Sequence, residues 1–288
     1  MVNVLVTGGD GQMGICLKHI RQKYSSIKFY FLNQNDLNIT NYQSILNFMQ
    51  NHEVDFIINC AAYTNVDKAE DEPDKAKTIN VLGVENLVKI SEIFHIKLFH
   101  ISTDYVFDGY CKHELKELDK TNPLGVYGKT KLNGEKLVLN SKGQAIVIRT
   151  SWLFSPFGNN FVKTILTLSN SKQKISVIND QYGRPTYGLD LAEVIIKLIN
   201  SSKSFNNKIY HFSNEGVTSW YDFAKSIIKL SGSKCELVPI KTDEYSSKAL
   251  RPKNVILNTD LIESSLKLQI PNWKDSLKKC LNIINEQL

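Results

Sequence analysis

The side chains of this sequence best suited to chemistry are Tyr127 and Lys131, in the run Tyr127-Gly128-Lys129-Thr130-Lys131. On a helix this spacing puts a phenol and an ammonium on one face, one turn apart. A phenol titrates near 10 and is a weak acid at neutral pH, and a neighbouring cation lowers that value. Such a pair can hand a proton to an oxygen that is gaining negative charge. Tyr-x-x-x-Lys also arises by chance on solvated helix faces, so the pair needs context. Upstream, His100-Ile101-Ser102-Thr103-Asp104-Tyr105-Val106-Phe107 closes an apolar run with hydroxyls that can orient a carbonyl and a phenol. A strand-terminal Ser/Thr turn is the plainer reading of that stretch alone.

Near the start stands Val6-Thr7-Gly8-Gly9-Asp10-Gly11-Gln12-Met13-Gly14, which fits Gly9-x-Gly11-x-x-Gly14 and Gly8-x-x-Gly11-x-x-Gly14. Glycines between a strand and a helix allow the tight turn, the approach of backbone to a pyrophosphate, and close helix–strand packing. The helix start then offers free amides and a partial positive charge to the phosphates. In this strand–turn–helix setting the run predicts dinucleotide binding at Gly8, Gly11, Gln12, Met13 and Gly14. An acidic residue after the second strand would favour NAD through the ribose hydroxyl. Here that position is Asn33, which leaves NADH and NADPH both open.

The elements that must position these residues alternate. Short apolar runs at 2–6, 27–32, 54–58, 97–101 and 145–148 are separated by amphipathic stretches; Met13, Leu17, Ile20 and Tyr24 form one helical stripe. That rhythm predicts an α/β fold, a parallel sheet covered on both faces by right-handed crossovers and therefore doubly wound. Beyond Trp152 it loosens: helices near 161–168, 189–199 and 273–284 surround short strands at 175–178 and 209–212. We expect a dinucleotide-binding domain over 1–152, with 189–213 returning to it. A smaller, mainly helical substrate domain would comprise 153–188 and 214–288.

With 288 residues, 42% hydrophobic and 22% charged, the chain is ordinary globular material rather than a disordered or fibrous one. Its net charge of +6 comes without any purely basic block, which argues against nucleic acid as a partner. No apolar run approaches the roughly 20 residues that cross a bilayer, so no membrane partner is expected. The odd set Cys16, Cys60, Cys111, Cys235 and Cys280 holds no CxxC spacing, and the six histidines are scattered. We assign no residue to a metal and expect a reduced, cytoplasmic protein whose N-terminal apolar stretch is a strand rather than a signal peptide. Cys60 reads as packing.

Taken together, these segments resemble the extended, nucleotide-sugar-modifying branch of the short-chain dehydrogenase/reductase superfamily, and within it the dTDP-4-dehydrorhamnose reductase family. The resemblance also rests on Asn59-Cys60-Ala61-Ala62-Tyr63-Thr64, Val66-Asp67-Lys68-Ala69-Glu70, Arg149-Thr150-Ser151-Trp152, Asn159-Asn160-Phe161-Val162, Asp180-Gln181-Tyr182-Gly183-Arg184-Pro185-Thr186 and Arg251-Pro252. It implies a Rossmann-like fold and reduction of the C4 ketone of dTDP-4-dehydro-β-L-rhamnose by NADPH or NADH. Tyr127 would then be the proton donor, and Lys131 would hold the nicotinamide ribose and lower the Tyr127 pKa. Thr103 would tune the phenol and touch substrate.

The resemblance further places Ala62, Tyr63 and Thr64 beside the middle of the cofactor, and Asn38 and Ile39 on its adenine side, where the family often has an acid at the Asn38 position. Asp104 would contact substrate or simply close an Asx turn. Trp152 would meet the sugar or be a core tryptophan. Arg251 would hold the substrate diphosphate or form a surface salt bridge. Arg184 departs from the family's small residue. An acid following Thr-Asp would mark a dehydratase, and Tyr105 stands there instead. Two readings remain beside reduction: an epimerase that keeps its oxidised cofactor, and a non-catalytic NADP-binding subunit similar to the regulatory subunit of methionine adenosyltransferase. Assembly stays open between a single chain and a homodimer.

Overall fold

The computed structural model describes residues 1–201 and 208–286. Six strands form one wholly parallel sheet in the order β10-β5-β4-β3-β1-β2. They are β1 (Val2–Thr7), β2 (Ile27–Leu32), β3 (Phe56–Asn59), β4 (Lys97–Thr103), β5 (Ala145–Thr150) and β10 (Lys208–Phe212). Alternation along each strand divides the apolar side chains between two cores. Val4, Val6 and Ile58 join helices α1 (Gln12–Ile20) and α8 (Gly188–Asn200) on one face. Leu5 and Ile57 join α2 (Tyr42–Asn51) and α5 (Val84–Ile93) on the other. Each such buried side chain contributes about 1.5–3 kcal/mol.

Short helices α3 (Val66–Asp71) and α4 (Pro73–Lys77) follow β3, and α6 (Val126–Leu139) lies between β4 and β5. A buried ion pair pins α6: Glu135, fully buried, accepts from Nε and Nη2 of Arg149 on β5 at 3.0 and 2.7 Å, and from the Ser102 hydroxyl on β4. Gly128 lets the helix come close, since a Cβ there would lie 2.2 Å from the Tyr105 carbonyl oxygen.

The remaining chain packs at the carboxyl ends of the strands. It comprises β6 (Leu153–Phe154), α7 (Phe161–Ser171), β7 (Lys174–Ile178), β8 (Tyr182–Gly183), β9 (Thr186–Tyr187), β11 (Thr218–Ser219), α9 (Trp220–Ser231), β12 (Glu236–Ile240), β13 (Asn254–Val255), α10 (Asp260–Leu266) and α11 (Trp273–Glu286). Helices α7, α9 and α11 share a third core around Phe223 and Trp273. Three small sheets accompany them, β6-β9, β7-β12 and β11-β8-β13, so this part is less purely helical than the sequence suggests. Strand β12 escapes the sequence pattern because Pro239 interrupts it, which suits only an edge strand. The proposed return of 189–213 to the sheet has β10 at its end; its positions 202–207, and 287–288 of the C-terminal stretch, lie outside the described residues. Among the described residues no helix is long and apolar enough to cross a membrane.

Candidate active site

The β1–α1 turn is backbone brought close to backbone. Gly8 has φ +64°, and a Cβ there would sit 2.8 Å from the Ala61 main chain; one on Gly14 would sit 2.5 Å from the Gly8 oxygen. Helix α1 begins at Gly11 with no side-chain cap, so its first amides are free for an anion. A groove of about 180 Å³ runs from Gly8 and Gly11 past Asn38 and Ile39 to Ala61 and Ala62. The uncapped amides and the Cβ-free turn fit a dinucleotide pyrophosphate.

A larger cavity of about 580 Å³ continues from it at the strand ends, where Gln12, Met13, Ala62 and Thr64 face Thr103, Asp104, Tyr127, Lys131 and Trp152. Tyr127 and Thr103 both line this cavity. Thr103 Oγ1 donates to Asp104 Oδ1 at 3.0 Å and accepts from the Tyr105 amide at 3.2 Å. Burial raises the Asp104 carboxyl to about 7 despite these hydrogen bonds. Burial also lowers Lys131 to about 8, with Glu135 and Cys60 pulling the other way.

Lys131 lies one turn along α6 from Tyr127. Its Nζ donates to the Ile101 carbonyl at 2.7 Å. Burial pushes the Tyr127 phenol up, the Asp104 and Tyr105 side chains add to the rise, and the Thr103 hydroxyl works downward.

Beneath Lys131 the strands align a polar row. Thr7 donates to Asn59 Oδ1 at 2.7 Å, and Asn59 Nδ2 meets His100 Nδ1 at 3.0 Å. His100 Nε2 lies 3.4 Å from Lys131 Nζ. The parallel register brings Thr7, Asn59 and His100 side by side, a relation that linear spacing hides.

Two expected cofactor contacts turn away. Tyr63 sends its hydroxyl to Glu72 at 2.9 Å and packs on Ala69 and Ala76. Asn33 spends its side-chain oxygen on the amides of Asn35 and Asp36, bracing the loop that carries Asn38. Arg251 is not on the wall of the main cavity. It pairs with Asp67 at 2.7 Å, donates to the Tyr105 hydroxyl at 3.1 Å, and faces an adjoining cavity of about 230 Å³. Arg184 is a tie, donating to the Leu257 carbonyl and pairing with Glu114.

The sequence reading did not find Trp220, whose ring stacks on Trp152 at 3.6 Å. Nor did it foresee the role of Glu70, which accepts from the Val126 amide at 2.8 Å and so caps α6. Trp220 begins an ordinary amphipathic helix, and nothing in its neighbours marks it.

A doubly wound sheet with a glycine-rich first turn, and a Tyr–Lys helix over the end of its fourth strand, defines the short-chain dehydrogenase/reductase class. Over residues 2–286 the chain belongs to the RmlD substrate binding domain family. It is 38% identical over 287 residues to the dTDP-4-dehydrorhamnose reductase of Aggregatibacter actinomycetemcomitans, covering 96% of this chain and 98% of that one. Its structure resembles that of a dTDP-4-dehydrorhamnose reductase from Clostridium acetobutylicum, with a TM-score of 0.93, 36% identity, and 99% and 100% of the two chains covered. The Bacillus anthracis dTDP-4-dehydrorhamnose reductase in complex with NADP matches with a TM-score of 0.92 and 37% identity, over 98% and 99% of the chains.

Proposed function

We propose that this chain reduces the C4 ketone of dTDP-4-dehydro-β-L-rhamnose to give dTDP-L-rhamnose, with NADPH or NADH as reductant. The observation that carries the reading is Tyr127 beside Thr103 and Lys131 on the wall of a cavity continuous with an uncapped, Cβ-free turn. The end-to-end likeness to reductases of that name supports the substrate class. Gly8, Gly11, Gln12 and Met13 hold the pyrophosphate, Asn38 and Ile39 the adenine side, and Ala62 and Thr64 the middle of the cofactor. Lys131 holds the nicotinamide ribose.

When bound, the reduced nicotinamide supplies a hydride to C4. Thr103 and Tyr127 hold the ketone oxygen, and as that oxygen gains charge Tyr127 gives it a proton. Asp104 and the Trp152 face bound the sugar. The diphosphate lies toward Arg251 and Lys253, which line the adjoining cavity. Cytoplasmic action accompanies this reading, since all five cysteines are free thiols.

The test is incubation of the purified protein with dTDP-4-dehydro-β-L-rhamnose and each reduced cofactor, followed by identification of the sugar. Cofactor oxidation with dTDP-L-rhamnose as product supports the reading. No oxidation, or a sugar epimeric at C4, overturns it.

A further inference from the structure

The row from Thr7 through Asn59 and His100 to Lys131 has a fixed direction. Asn59 Oδ1 accepts from the Ala61 backbone amide at 3.2 Å and from the Thr7 hydroxyl at 2.7 Å. A backbone N–H only donates, so this contact settles which end of the Asn59 side chain is oxygen. Asn59 Nδ2 is therefore the atom that meets His100 Nδ1 at 3.0 Å, and it donates. The imidazole is neutral, because burial and the Lys131 cation both hold it well below the usual histidine range. A neutral imidazole carries one N–H. Its Nδ1 accepts here, so the proton sits on Nε2, which faces Lys131 Nζ across 3.4 Å. Thr7, Asn59 and His100 are 1% exposed or less, so bulk water replaces none of these partners.

The row thus offers a donor to a side chain that is itself a donor. An ammonium has three N–H groups and no lone pair, whereas the amine left by losing a proton has one. Both forms can donate to the Ile101 carbonyl, but only the amine can accept from His100 Nε2. The acid that would favour the cation is engaged elsewhere: Glu135 is bound by Arg149 and Ser102. Burial keeps the Cys60 sulfur a thiol.

On the reductase reading above, in which Lys131 holds the nicotinamide ribose, we propose that Asn59 and His100 are positioning residues for Lys131. Asn59 fixes the imidazole tautomer, and the imidazole N–H favours release of the lysine proton while the Ile101 carbonyl holds the nitrogen in place. The proton leaves the ammonium for solvent, and the freed lone pair takes up the Nε2–H bond. The row therefore sets the upper pH at which the cation is present. The titratable groups facing Lys131 are His100 of β4, Tyr127 and Glu135 of α6, and the Cys60 thiol after β3. Burial already brings the lysine to about 8, so the charge is present at neutral pH and lost as pH rises through that value.

The first test reads the imidazole. Nitrogen-15 NMR of the assigned His100 ring in the whole wild-type protein should show its proton on Nε2. A proton on Nδ1 overturns the proposal, and this measurement needs no variant to fold.

The second reads the amine, through acetylation of Lys131 at increasing pH followed by peptide mass spectrometry. The wild type should titrate near 8. Asn59→Leu releases the tautomer: the ring proton should move to Nδ1, and the lysine dissociation constant should fall roughly tenfold, the worth of one hydrogen bond. His100→Gln, whose amide oxygen can turn to the ammonium, should lower that constant similarly. An unchanged constant in both overturns the proposal. So does a lysine that shifts in Asn59→Leu while the ring proton stays on Nε2, since loosened packing alone would do that.

The alkaline fall of kcat/KM for the 4-keto sugar nucleotide should move up with the lysine in both variants. A fall that stays in place while the lysine moves overturns the link to turnover. A wild type that does not turn over this substrate overturns the reductase reading, and the ring and amine measurements still decide the row.

Discussion

The end of the cavity proposed for the dinucleotide is built almost wholly from backbone, whereas the end proposed for the substrate is built from side chains gathered along the chain. At the first, Gly8, Gly11 and Gly14 matter for what they lack, and the turn is contained within a few consecutive residues. At the second, Thr103 and Asp104 follow β4, Tyr127 and Lys131 come from α6, and Trp152 follows β5 and stacks on Trp220 of α9. A local backbone feature survives in linear sequence. A convergence of side chains exists only after folding.

Mutations at the two ends should therefore separate cofactor affinity from turnover. The largest effect is expected from Tyr127→Phe, which removes one proton donor and leaves the ring in place. Turnover should fall by about 10³-fold with the cofactor dissociation constant, from fluorescence titration, unchanged. A variant with wild-type kcat would remove Tyr127 from the chemistry.

Next comes Gly14→Ala, whose new methyl would meet the Gly8 oxygen at 2.5 Å. It should cost about 1–3 kcal/mol of stability in thermal unfolding and weaken cofactor binding with it. Gly143→Ala, where a Cβ finds only ordinary contacts, is the control and should change neither.

Lys131→Met tests the one side chain that reaches toward both ends. Cofactor affinity and rate should each drop about tenfold, the worth of one hydrogen bond from a charged donor. If one parameter moves alone, the ammonium serves only that end. The smallest effect belongs to Trp220→Ala, which removes the stacking partner of Trp152. It should raise KM for the sugar nucleotide by a few fold, in keeping with about 0.5–1.5 kcal/mol for an aromatic pair. A weaker cofactor complex instead would break the division between the two ends.

The sheet was legible because β1 to β5 are apolar runs bounded by polar loops, and β2 coincides with the expected 27–32. Strands β4 and β5 run two residues further than their apolar patterns. Ser102 and Arg149 continue the pairing because Glu135 satisfies both from α6, so polar side chains remain inside the sheet. No local pattern announces a partner on another element. The same reason hid the Thr7–Asn59–His100 row and the clasp between Arg251 and Asp67, residues that meet only across the fold.

Sequence alone determined the doubly wound core, its glycine turn and the spacing of the phenol and ammonium on one helix. Those follow from residue type and near-neighbour spacing, which the backbone carries directly into structure. Tertiary packing decided which groups the phenol meets. It turned Lys131 to a carbonyl, set Tyr127 on one cavity wall with Thr103 and a buried Asp104, and drew Arg251 onto Asp67. Charge and hydrogen bonding act over a few ångströms of space, and chain order does not encode those distances.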